Sequence, residues 1–277
     1  MARKTKAVDH LVNRMSKMRL VDEIAASSPN AIKSGVQPDV KEQDDVVRQP
    51  FRFFDLPFEL RLRVYEFLLI FPKTIDLDPS NHRVVAPNLR LFLVDHRMHE
   101  EASRVFYGRN TFRVFPIHGR YINRKHPLLA WFPRRYRAHI TRLELRLGPG
   151  FTRPPKCWVV DSRLGLAAAK KLYKLKIFIE IDPASNEVFE GFRVGQNFYT
   201  EYCVGLLRAL LGQVASISEV EFDAYPSVSK SSPLLKGLLE ETKLNQKSVT
   251  WGSERGWDKI VEVDLVKVLQ NLGLDTA

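Results

Sequence analysis

Between residues 51 and 69, FRFFDLPFELRLRVYEFLL, apolar positions recur with a helical period but fall on two sides of the helix. At roughly 100° per residue, Leu60, Val64, Phe67 and Leu68 share one face, and Phe58, Leu62, Tyr65 and Leu69 the opposite one. Pro57 suits the first helical position, where its missing N–H costs nothing. Glu59, Arg63 and Glu66 occupy one intervening edge, with Glu59 and Arg63 spaced to pair across a turn. A surface helix needs one apolar stripe. Two opposed stripes predict two packing partners: the helix is sandwiched in its own domain, or one stripe meets another protein.

Ahead of this helix, residues 1–50 read as a basic tail. Val8, Leu11, Val12, Met15 and Met18 predict a short amphipathic helix over 7–25, and the Ser-, Pro-, Asp- and Lys-rich stretch 26–49 reads as linker. After it, KTIDLD (73–78) predicts a short strand and NHRVVAP a second, hairpin-related one. Val94, Met98, Ala102, Val105 and Phe106 form one apolar stripe on a helix ending at Gly108, with Arg97/Glu101 and Glu100/Arg104 paired on its exposed side. Thr111–Phe115 alternates as a strand. From 128 onward LLAWFPRRYRAHI predicts a helix broken at Pro133. ITRLELRLG (140–148), LKIFIEID (175–182) and ISEVEFDAY (217–225) predict strands; SRLGLAAAKKLYKL, 197–214, 233–244 and 256–272 predict helices.

This pattern predicts an α+β chain in three parts: a tail over 1–50, a helical module with short strands over 51–116, and an irregular α/β layer over 117–277. Strands starting near 141, 174 and 218 with helices between them favour a parallel sheet. Charged alternate positions predict that one sheet face is less covered than in a doubly wound fold. The spacings depart from a leucine-rich-repeat consensus, leaving a degenerate repeat-like layer as the variant to test.

Composition changes the picture in three respects. With 277 residues, 44% hydrophobic, the chain can bury a substantial core. Cys157 and Cys203 are too few for a disulfide framework, so a reducing compartment, cytoplasmic or nuclear, and two buried thiols are expected. There is no 18-residue apolar run and no hydrophobic signal-peptide core, so neither a transmembrane helix nor a secretory leader is expected. The net charge of +11 attracts nucleic acid, anionic membrane or acidic proteins without choosing among them.

Candidate chemistry is sparse. His96-x-x-His99-Glu100 lacks the four-residue histidine spacing of a zinc helix and reads as a solvated helix edge. No nucleophile elbow, phosphate-binding loop, dinucleotide turn or supported Cys–His pair occurs. No catalytic residue, cofactor or metal is therefore expected. The basic run Arg124, Lys125, Arg134, Arg135, Arg137, Arg142 and Arg146, interleaved with Trp131, Phe132 and Tyr136, is a candidate anion site. In that reading the cations hold a phosphate backbone and the rings stack bases. The bland reading sends the rings to the core and leaves the arginines solvated.

Leu56-Pro57-x-Glu59-Leu60-Arg61, with Val64, Tyr65 and Leu68-Leu69, resembles the first helix of an F-box. NLRLFLVDHRMHEEASRVFYGRNTF (88–112) is similar to the second block of a large fungal F-box-like family, matching at Arg97, His99, Glu100, Glu101, Ala102, Asn110, Thr111 and Phe112. The resemblance implies an F-box-like module over 51–116 and an intracellular substrate receptor of a cullin-type ubiquitin ligase. Leu56, Pro57, Leu60, Val64 and Leu68 would contact a Skp-type adaptor, the C-terminal domain would hold a protein target, and catalysis would reside in other subunits. The alternative class is a nucleic-acid or phosphate-binding protein using the 124–146 cluster.

Overall fold

A computed structural model describes residues 51–123, 127–148, 150–185, 195 and 197–258. The chain divides into two units, 1–51 and 52–277, and apart from Phe51 the described residues belong to the second. The expected tail helix at 7–25 and nearly all of the helix expected at 256–272 lie outside them.

The described unit is α/β. Strands β1 (Thr111–Arg113), β2 (Arg142–Leu147), β3 (Lys174–Ile179), β4 (Glu219–Ala224) and β5 (Ser248–Trp251) form one sheet in sequence order, and every neighbouring pair is parallel. The described α-helices are α1 (Phe58–Leu69), α2 (Pro79–Asn88), α3 (His96–Arg109), α4 (Leu128–Trp131), α5 (Arg134–Arg137), α6 (Phe198–Gln213) and α7 (Pro233–Leu244).

Period-two alternation gives the sheet two unlike faces. Phe112, Leu143, Leu145, Leu147, Leu175, Ile177, Ile179, Val220, Phe222 and Ala224 are buried on one of them. They join a single core with Met98, Ala102 and Phe106 of α3, Leu207 and Leu210 of α6, and Leu234, Leu235 and Leu238 of α7. Thr111, Arg113, Arg142, Glu144, Lys174, Lys176, Glu219 and Glu221 take the alternate positions. The expectation of one less-covered face follows from this alternation.

Several expectations change. The described residues are α/β with one sheet, and contacts within it cross residue 116. Strand β1 pairs with β2, Phe112 packs its ring 5.3 Å from Phe132, and Arg113 bonds Glu144 at 2.8 Å. NHRVVAP lies in helix α2, because Asp78 caps it by accepting from Ser80 N at 3.0 Å and Pro79 opens it. KTIDLD contributes one bridge, Ile75 to Phe112, on the outer side of β1. The helix expected over 162–175 is two 3-10 turns, Ser162–Leu164 and Leu166–Ala168. Gly165 separates them at φ +64, and a Cβ there would collide with the Arg137 guanidinium. Strand β5 follows a turn at Gln246, φ +55, in a segment where no strand was expected. Cys203 is fully buried, but Cys157 is half-buried with its thiol 3.0 Å from the Ile122 carbonyl.

Leu145 lies within β2, paired with Ile177 of β3, and has no exposed surface. Truncation to Ala removes transfer energy and leaves a cavity, so Leu145→Ala should lower unfolding free energy by about 2–5 kcal/mol. Urea denaturation followed by circular dichroism measures this, and a loss below about 1 kcal/mol would place Leu145 outside a close-packed core.

Candidate functional site

The first candidate surface is the outer side of α1, and a charged clamp on its inner side sets which way the helix faces. Arg61, only 4% exposed, donates from Nε and Nη2 to both oxygens of Glu101 on α3, at 3.0 and 2.9 Å. Its Nη1 also bonds the Leu56 carbonyl. The Tyr65 hydroxyl donates to the same carboxylate at 3.2 Å, and Arg97 Nε reaches it at 3.2 Å. Glu101 therefore does not sit on an open edge of α3. The pair expected between Glu100 and Arg104 is absent among the described residues, and Glu100 lies 3.9 Å from His96.

Asn110 ties the far ends of the two helices together. Its amide nitrogen donates to the carbonyls of Leu69 and Phe106 at 2.7 and 2.9 Å, and its oxygen accepts from Phe71 N at 2.8 Å. His99 is likewise committed. Nδ1 lies 2.8 Å from the Phe92 carbonyl and Nε2 bonds the Tyr136 hydroxyl, so this histidine is half-buried and structural where a solvated edge was expected. Among the described residues no group of three potential ligands could hold a metal ion.

With Arg61, Tyr65 and Leu69 held inward, the opposite stripe of α1 faces out. Leu60 is 52% exposed, Val64 38% and Phe67 87%. These positions fall within one narrow helical sector at about 100° per residue. Fully burying such a side chain is worth roughly 1.5–3 kcal/mol, so three left uncovered on one face form a surface suited to a partner. Val84 of α2 is also exposed, one turn before Asn88, whose amide bonds the Leu68 carbonyl at 2.6 Å. Of the residues expected to meet a partner, Leu60, Val64 and Pro57 lie on the surface. Leu56 and Leu68 are half-buried, and Leu68 packs against the core. Phe67, more exposed than Leu60 or Val64, was not among the expected contacts, although its spacing from them places it in their stripe.

The second candidate surface is the polar face of the sheet. Its side chains bond across strands: Arg113 to Asp76 and Glu144 at 2.9 and 2.8 Å, Lys174 to Glu219 and Glu221 at 2.8 and 2.6 Å, and Lys176 to Asp223 at 3.1 Å. Arg146 pairs with Glu180, donates to the Tyr225 hydroxyl at 2.6 Å and stacks on Phe178. Burial is the largest influence on Asp76 and pushes its carboxyl up against the pull of Arg113. A cleft of about 360 Å³ opens on this face between the 71–74 segment and strands β1 to β4.

The basic run comes apart in space. Arg142 and Arg146 stand on the polar sheet face, whereas Arg134 and Arg135 are exposed on α5. Arg137 bends inward to the Leu164 carbonyl, 3.4 Å away. Arg124 and Lys125 lie outside the described residues. Phe132 and Tyr136 are half-buried and pack against the core, with Tyr136 stacked on Tyr107 at 4.9 Å, so both rings are engaged within the fold. Trp131 remains 46% exposed.

No family model, curated protein or solved structure matches the chain. What the fold and its surfaces define is an α/β protein with an outward apolar helix stripe and a charged parallel-sheet face.

The clamp makes a signed prediction. Hydrogen bonding to Arg61, then to Arg97 and Tyr65, holds the Glu101 carboxyl below its ordinary 4.5, against burial. Burial and the Glu101 charge push the Tyr65 phenol up to about 12. A carboxyl lowered on folding stabilises above its unfolded pKa and loses that contribution as pH falls through the folded value. Glu101→Gln should therefore lower the melting temperature at neutral pH and flatten its decline in the acid range. Parallel wild-type and variant curves from neutral to acid pH would show that the clamp carries no charge-dependent stability.

Proposed function

We propose that this chain is an F-box-like substrate receptor that brings a protein target to a cullin-type ubiquitin ligase through a Skp-type adaptor. One observation carries the reading: the Leu60–Val64–Phe67 stripe, left uncovered on a helix that a buried ion pair holds in place. The residues of the two resembling blocks support it by what they touch. Arg61, Tyr65, Arg97, Glu101 and Asn110 join α1 to α3, so the blocks belong to one packed unit with an apolar face turned away from it. Leu60, Val64 and Phe67 would anchor the adaptor, with Pro57 at the rim. Leu56 and Leu68 act from beneath, Leu56 by lending its carbonyl to Arg61 and Leu68 by packing. The target would lie on the polar sheet face, whose charged side chains suit recognition of another protein. The ligase chemistry belongs to the other subunits.

The nucleic-acid alternative draws less support, because Phe132 and Tyr136 spend their rings on the core and the arginines divide between two places.

The test is a pull-down of full-length protein with the Skp-type adaptor from its own cell, comparing wild type with Leu60→Asp/Phe67→Asp. Both sites are surface positions, so circular dichroism and melting should change little. Anchors buried at an interface each cost more than about 2 kcal/mol when removed, so adaptor affinity should fall by well over roughly tenfold. A folded wild-type protein that binds no adaptor, or a double variant that binds it equally well, would overturn the proposal.

A further inference from the structure

The polar sheet face has three registered rows, and they are not equally neutralised. The middle row runs Arg113, Glu144, Lys176, Glu221 across β1 to β4, so the charge alternates at every step. Each of these groups bonds a neighbour of opposite sign. The row toward the strand C-termini runs Arg146, Phe178, Asp223, with Arg146 on Glu180 and Asp223 on Lys176. The first row breaks the rule. It runs Thr111, Arg142, Lys174, Glu219, Ser248, setting two cations side by side where the middle row has an acid beside a lysine. Like charges directly across strands are unfavourable.

Lys174 escapes by turning to Glu219 and Glu221, which leaves Arg142, among the described residues, with a single side-chain bond, from Nε to the Tyr173 hydroxyl at 3.3 Å. Its field contributes to holding the Glu219 carboxyl down, behind the hydrogen bonds from Lys174 and Thr250, but no carboxylate bonds it among the described residues. Lys73 projects from the segment that closes the other side and likewise has no acidic partner among the described residues. Both line the cleft of about 360 Å³. Its charged lining is Lys73, Arg142, Lys174 and Lys176 against Glu219 and Glu221, four cations to two acids.

We propose that this cleft is an anion subsite that takes a phosphate group, carried on a phosphorylated serine or threonine of a bound protein segment. Arg142 supplies forked donors suited to phosphate oxygens. Lys73 supplies a mobile point charge from the opposite wall, and the Thr111 and Tyr173 hydroxyls complete the lining. The phosphate supplies beside Arg142 the negative charge that Glu144 supplies between Arg113 and Lys176 in the middle row. The anion chemistry stands on the register, the ion pairs and the cleft lining; assigning it to a modified protein segment, rather than to free phosphate, rests on the receptor reading above.

The full chain would be titrated with acetyl-Gly-phosphoSer-Gly-amide, with the same peptide unphosphorylated, and with inorganic phosphate, following backbone amide resonances by NMR. We expect the phosphopeptide to shift Lys73, Thr111, Arg142 and Tyr173 saturably and in a salt-sensitive way, and the unphosphorylated peptide to leave them unmoved. Lys73→Gln/Arg142→Gln should weaken binding about tenfold or more, since charge-assisted bonds are lost, and Arg142→Lys should recover part of it. Amide spectra that keep their dispersion show that the variants fold. No shift at these positions with either anion, or equal affinity in the double variant, would overturn the site. Saturation by inorganic phosphate without any response to the phosphopeptide would overturn its assignment to a modified protein. No adaptor is present in this assay, so the anion site and the adaptor interface stand or fall on separate measurements.

Discussion

The two-pronged contact between Arg61 and Glu101 is the constraint from which the arrangement of the described unit follows. It joins residues forty positions apart and takes a guanidinium almost wholly out of water. Burying charge is costly unless partners satisfy it, and here the guanidinium reaches two carboxylate oxygens and a carbonyl, while the carboxylate also receives Tyr65 and Arg97. Such a group tolerates little rotation of α1 about its own axis. An apolar helix with two usable stripes is otherwise free to choose which one to bury. The ion pair decides that Tyr65 and Leu69 go in, and Leu60, Val64 and Phe67 are left out.

The same logic continues into the sheet. Asn110 holds the ends of α1 and α3 together and is followed at once by β1, so the orientation fixed by the clamp passes to the first strand. Arg113 of that strand is shared between Asp76 and Glu144, all three nearly excluded from solvent. Removing one partner of such a buried set typically costs about 3–5 kcal/mol, even though the intact set adds little net stability. Its contribution is registry: it specifies how β1 meets β2 and where the 71–76 segment crosses the sheet edge.

What could be read from the chain was what depends on neighbours in sequence. Alternation in LELRL and KIFIE identified β2 and β3 and their charged face, because period two needs no knowledge of the partner strand. The break at Pro133 and the helix over 233–244 were visible for the same reason. The errors arose where a local signal was outweighed or hidden. Val84 and Val85 suggested a strand, yet the Asp78–Pro79–Ser80 start signal governed the segment. Ala167, Ala168 and Ala169 suggested a helix, yet Gly165 in a left-handed conformation against Arg137 ended it after a turn. SVTW is only four residues long, and pairing with β4 is what makes it a strand. The candidate sites were legible in part. Both α1 stripes were apparent, but choosing between them required knowing that Arg61 meets Glu101. The 360 Å³ cleft was invisible, since Arg142 becomes unmatched only through register with Lys174, thirty-two positions later.

A receptor of the kind proposed must hold one protein while presenting another at a fixed separation, which is a demand on stiffness as much as on affinity. The described unit meets it through continuity. The outward stripe is on α1, α1 is clamped to α3, α3 runs through Asn110 into β1, and β1 is locked by Arg113 to β2 and the 71–76 segment that borders the cleft. Each joint is a buried or half-buried polar contact whose loss leaves a group unsatisfied, and such joints have few alternative geometries. A surface made only of apolar packing would hold the helix less specifically, because hydrophobic contact is non-directional. The charged residues at these joints thus do what additional leucines would not: they set the angle at which the apolar stripe and the polar sheet face are presented.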